Sequence, residues 1–283
     1  KARQTARPNP ENPLPDVKNI IAVSSGKGGV GKSLVTSLMA VEMQRRGFKT
    51  AILDADITGP SIPKVFGLTG HATGNDDGIN PVTTKTGIKV MSMNLLLEDV
   101  AAPVVWRGPV ISGAVKQFWT DVIWGDIDYM FVDMPPGTGD IQLTLSQQVP
   151  LTGAVVVTTP QDIALIDAKK GLRMFQKVNV PILGIIENMS VFICPHCGEV
   201  EHIFGEGGAK RMSEQYGVPL LGELPLSAKI REQADSGLPT VAAEPDGKEA
   251  LMYREMAMKV AGALARITKD YTAKMPGIRV VND

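Results

Sequence analysis

The chain has 283 residues, 43% of them hydrophobic, with 29 Lys and Arg against 30 Asp and Glu. That length supports a sizeable core, and the balanced charge gives no support for nucleic acid as the main partner. No apolar run approaches the roughly 18 residues that span a membrane. A cytoplasmic protein with no membrane partner is expected.

Residues 1–17, polar and proline-rich, read as a disordered leader. Short apolar, β-rich runs then follow at regular intervals: 19–25, 49–56, 88–94, 129–135, 153–160, 181–189 and 219–225. Continuous apolar runs fit strands buried on both faces. Helical patterns lie between most of them, at 32–46, 110–123, 139–149, 162–176 and 207–216, with a long amphipathic helix at 246–269. This alternation predicts an α/β fold of three layers, a mostly parallel sheet flanked by helices. Residues 18–270 form one domain, and 271–283 a short C-terminal tail. Long insertions at 57–87 and 190–206 are expected to be functional loops.

The first helix is preceded by "GKGGVGKS", residues 26–33. It matches the G-x-x-x-x-G-K-[ST] pattern of P-loop NTPases and stands between an apolar strand and a helix, as that motif requires. Gly26, Gly28, Gly29, Val30 and Gly31 supply backbone N–H groups to phosphate oxygens. Lys32 reaches the β and γ phosphates, Ser33 holds Mg²⁺, and the helix dipole adds positive potential. ATP with Mg²⁺ is the expected ligand.

Lys27 inside the loop resembles the deviant Walker A of the MinD, ArsA and nitrogenase iron-protein group. That resemblance implies a homodimer in which Lys27 reaches the partner's nucleotide. A second cation would stabilise the charge of the transferring γ-phosphoryl group, so Lys27, Lys32 and Asp56 are the catalytic candidates.

Three carboxylates end strands. "ILDADITGPS" carries Asp54 and Asp56, and "YMFVDMPPGTGD" carries Asp133 after an apolar run, as in Walker B. Asp133 is expected to hold Mg²⁺ through a water, Asp54 to stand near the metal, and Asp56 to orient the attacking water. Gly137 falls where a switch loop would sense the γ-phosphate. Asn188 lies where the family reads adenine with an amide, and "LSAKIREQ" is expected to close over the base.

The two cysteines, Cys194 and Cys197, form "CPHCG". A thiol–disulfide centre, a structural zinc site drawing on His196 or His202, and half of a [4Fe–4S] site are the three readings. The cluster wants four thiolates; two chains on a twofold axis provide them.

Together, "SGKGGVGKS", "LDADITGPS", "VDMPPGTGD", "ENMSVFICPHCG" and "FGEGGAKRMSEQYGVPLLGELPL" closely resemble the Mrp/ApbC group of iron–sulfur cluster carrier ATPases, over about residues 18–270. The resemblance implies a homodimer that binds ATP, hydrolyses it slowly and passes a [4Fe–4S] cluster from an assembly scaffold to apo iron–sulfur proteins. Zinc could take the same thiolates in aerobic preparations. Many bacterial members carry a small domain before the ATPase, which is expected to be absent or removed here. The rival class is a MinD- or ParA-like positional ATPase with structural zinc at Cys194 and Cys197. It leaves the cysteines without a role in function, and the tail lacks a membrane-binding helix.

Overall fold

A computed structural model describes residues 16–56, 59, 61–96, 113 and 117–267. Its strands are β1 (Val17–Ser25), β2 (Thr50–Asp54), β3 (Thr73–Asn75), β4 (Gly78–Asn80), β5 (Val82–Thr83), β6 (Lys89–Ser92), β7 (Ile127–Asp133), β8 (Gly153–Thr158), β9 (Ile182–Ile193), β10 (Val200–Glu201) and β11 (Leu220–Leu226). The helices are α1 (Lys32–Arg45), α2 (Ile62–Val65), α3 (Asp140–Gln148), α4 (Asp162–Lys177), α5 (Gly208–Tyr216), α6 (Ala228–Asp235), α7 (Thr240–Ala243) and α8 (Lys248–Ala265).

Nine strands join one sheet in the order β10-β9-β8-β1-β7-β2-β6-β5, with β11 also on β9. The short β5 and β10 run antiparallel, leaving seven parallel strands. These seven are the apolar runs read from the sequence. Alternate residues of the same strand enter different cores. Ile21 and Val23 of β1 pack in one layer with Leu38 and Val41 of α1 and Met256 and Val260 of α8. Ile20 and Ala22 pack in the other with Trp119, Leu145 and Phe175. Burial on both faces explains why these strands are apolar without alternation.

The 57–87 insertion is less irregular than its composition suggests. It includes α2, the β3–β4 hairpin and β5. Of the expected helix at 110–123, residues 110–112 and 114–116 lie outside the described residues; 117–120 are helical, the helix is over by 121, and Trp119 and Trp124 are buried. Trp106 and Arg107 lie outside them too. Residues 226–243 hold α6 and α7.

Topology brings the loops of interest to one end. β1 is central, flanked by β7 and β8. The β1–β7 and β2–β7 registers set Val23 and Asp54 level with Asp133, so two carboxylates end adjacent strands side by side.

Candidate functional site

The glycine loop is shaped by its surroundings before any ligand enters. A Cβ on Gly26 would lie 2.2 Å from the Asp167 carbonyl carbon of α4, so only glycine lets the loop leave β1 there. Gly31, with φ of 79°, is the N-cap of α1. A Cβ on it would stand 2.3 Å from Asn188 Nδ2, which donates to Val30 O at 2.9 Å. Ser25 Oγ donates to Lys27 O at 2.9 Å, closing the other side of the turn.

Beside the loop is a cleft of about 500 Å³, lined by every residue from Gly28 to Ser33, by Asp56 and Asn188, and on its far wall by Ser227, Ile230 and Arg231. Lys27 belongs to the same loop and does not line the cleft. The two lysines are thus separated: Lys32 is buried in its own chain's site, whereas Lys27 is partly exposed outside it.

Lys32 Nζ lies 2.8 Å from Asp133 Oδ2 and 3.6 Å from Asp56 Oδ2. Ser33 Oγ donates to Asp133 Oδ2 at 2.5 Å, and Thr36 Oγ1 lies 2.9 Å from Asp133 Oδ1. The hydroxyl of Ser33 and the carboxylate of Asp133 are hard oxygen donors of the kind Mg²⁺ prefers, set at the N-terminus of a helix.

Asp54 lies behind the residues that line the cleft. It is fully buried and does not line the cleft; its Oδ2 accepts from Ser92 Oγ at 3.0 Å and its Oδ1 from the Asp56 N–H at 3.2 Å. Burial, then the adjacent Asp133 charge, pushes its carboxyl well above the usual range. It stands level with Asp133 on the adjacent strand. Gly137 N–H donates to Ser25 O at 3.0 Å, so switch and phosphate loops are joined by the group expected to meet the γ-phosphate.

The cysteines occupy a hairpin tip. β9 ends at Ile193, and Val200 and Glu201 of β10 pair back onto Ile193 and Phe192. Between them Cys194 N–H donates to Glu199 O and Gly198 N–H to Cys194 O, both at 2.9 Å. Gly198, with φ of 77°, makes the reversal. Backbone N–H groups of Cys197 and His196, and the Cys197 thiol, draw the Cys194 thiol below its ordinary value. Such a turn favours thiolate. His202 faces elsewhere: its Nδ1 is 3.2 Å from Ser190 O. Among the described residues no three His, Cys, Asp or Glu side chains gather as a metal site.

The far wall of the cleft was only partly readable. Ser61 and Val65 of the first insertion, Pro225 to Ser227, and Tyr253 of α8 all line it. "LSAKIREQ" was the one available signal, and Ser227, Ile230 and Arg231 come from it.

A parallel sheet with a glycine loop after its central strand, a buried loop lysine and a carboxylate on the next strand define a P-loop nucleoside triphosphatase. The family follows from sequence comparison. Residues 16–261 match the ParA family model described as NUBPL iron-transfer P-loop NTPase, and the chain belongs to that family. The iron-sulfur cluster carrier protein of Pseudomonas fragi is 53% identical over 248 residues, 87% of this chain and 86% of that protein. The protein of the same name from Escherichia coli K12 is 53% identical over 250 residues, 88% of this chain and 67% of that one. A nucleotide-binding protein from Archaeoglobus fulgidus, solved in complex with ADP, superposes with a TM-score of 0.75 at 40% identity, covering 87% of this chain and 96% of that one. The Pyrococcus furiosus cell division ATPase MinD, at a TM-score of 0.66 and 23% identity over 86% of this chain and 98% of its own, shares the fold. No helix among the described residues is long and apolar enough to cross a membrane.

Proposed function

We propose that this ATPase carries a [4Fe–4S] cluster between two copies of the chain and delivers it to apo iron–sulfur proteins. The carrying observation is the cysteine hairpin. It offers two thiolates, one already favoured by two backbone N–H groups, and no third ligand joins them among the described residues. A cluster wants four thiolates, and a second chain supplies the other two. The curated relatives named as cluster carriers support the same cargo.

The nucleotide half works through named groups. The loop N–H groups and the α1 N-terminus bind the phosphates, and a triphosphate competes with Asp133 for the Lys32 ammonium. Ser33 and Asp133 would hold Mg²⁺, which neutralises phosphate charge. Asp56, on the cleft wall, orients the attacking water. Lys27, outside its own cleft, reaches the partner's γ-phosphate and stabilises the charge that develops there. The two sites are linked by β9: Asn188, bonded to the phosphate loop, lies in the strand whose end at Ile193 leads straight into Cys194.

The test is transfer. Protein loaded anaerobically is mixed with an apo-ferredoxin, and recipient activity is followed with and without ATP. Transfer by the wild type and none by Cys194→Ser and Cys197→Ser supports the reading. Equal transfer by these variants overturns it.

A further inference from the structure

Thr36 is fully buried on α1, one turn beyond Lys32. Its Oγ1 is 2.9 Å from Lys32 O and also 2.9 Å from Asp133 Oδ1 on β7. A hydroxyl has one proton to donate. A threonine inside a helix ordinarily gives it to the carbonyl four residues back, as Ser37 does to Ser33 O at 2.8 Å. Here a buried carboxylate competes, and a charged acceptor forms the stronger bond.

The two oxygens of Asp133 are thereby divided. Oδ1 faces Thr36, while Oδ2 faces Ser33 Oγ and Lys32 Nζ at the mouth of the phosphate loop. A terminal carboxylate torsion is broad and two-fold, so a fixed donor on one oxygen is what keeps the other aimed. Nothing in the G-x-x-x-x-G-K-[ST] pattern calls for a hydroxyl at this place.

We propose that Thr36 is a positioning residue for the Mg²⁺-holding carboxylate: its hydroxyl locks Asp133 so that Oδ2 points at the metal position beside Ser33. The inference rests on the Mg²⁺–nucleotide reading above. It separates two roles on one helix, with Ser33 touching the metal and Thr36 orienting the carboxylate behind it.

The experiment measures binding of N-methylanthraniloyl-ADP by fluorescence, with Mg²⁺ and with excess EDTA, for wild type, Thr36→Val and Thr36→Ser. Valine keeps the shape and removes the donor. The wild type gains affinity on adding Mg²⁺. Thr36→Val loses about tenfold of that gain, the effect of one hydrogen bond to a charged group, while its affinity in EDTA stays within about twofold. Thr36→Ser restores the gain. Where the valine protein fails to fold, Thr36→Ala carries the same comparison. An undiminished Mg²⁺ gain in the valine or alanine protein overturns the inference, as does an equal loss with and without Mg²⁺, which would mark a structural role. A wild type without any Mg²⁺ gain overturns the metal reading and the inference with it.

Discussion

Asn188 Nδ2 donates to Val30 O at 2.9 Å, joining the middle of β9 to the phosphate loop across 158 residues of sequence. The same amide nitrogen occupies the space a Cβ on Gly31 would need. One side chain therefore fixes the loop and lines the nucleotide cleft.

Asn188→Ala is expected to weaken ADP binding about tenfold, since a buried carbonyl loses its donor at about 1–3 kcal/mol. Gly31→Ala is expected to lose more, because φ of 79° and the Asn188 amide both oppose it. Titration calorimetry of each variant measures the effect. Unchanged affinity in Asn188→Ala would remove its role in shaping the loop.

The two loop lysines should separate cleanly. Lys32→Ala is expected to abolish tight nucleotide binding. Lys27→Ala is expected to keep ADP affinity within about twofold and to lower kcat by roughly 10²–10³, the size seen when one donor to a developing charge is removed. Single-turnover hydrolysis beside equilibrium binding checks this. Full turnover by the Lys27 variant would contradict its reach into a partner site.

Gly26→Ala tests packing instead of chemistry. Its new methyl would meet the Asp167 backbone, which cannot give way as a flexible side chain can. A destabilisation of about 1–3 kcal/mol is expected, read as a lower midpoint in urea with the slope unchanged. An unchanged midpoint would show that α4 yields at that point.

The Asp54 carboxyl carries a stability signature. In the unfolded chain it titrates near pH 4; in the fold, burial and then Asp133 raise it well above that. Between those values the folded protein holds a proton that the unfolded chain has released, so stability falls as pH rises. Asp54→Asn removes this contribution. The melting temperature of the variant relative to wild type should rise steadily from about pH 4 toward neutrality. A constant offset across that range would contradict a raised carboxyl.

The sequence made the seven parallel strands readable because burial on both faces leaves continuous apolar runs at their centres. It showed Lys32, Ser33 and Asp133 because phosphate and metal chemistry fix both residue type and spacing. It could not show that Ser92 and the Asp56 N–H bond both carboxylate oxygens of Asp54, because spacing along a strand end does not name a side chain's partners. The β3–β4 hairpin was invisible because Thr73–Asn75 and Gly78–Asn80 have no apolar pattern. Of the cleft wall "LSAKIREQ" was readable, whereas Ser61, Val65 and Tyr253 carry no motif and reach it only through the fold. Thr36 looked like any helix residue until β7 was set opposite it.

The measurement that bears most directly on the account is anaerobic native mass spectrometry after reconstitution with iron and sulfide. The account predicts a dimer carrying one [4Fe–4S] cluster, with the cluster lost in Cys194→Ser. A complete cluster on a single chain, or zinc on the monomer with no iron uptake, would contradict it.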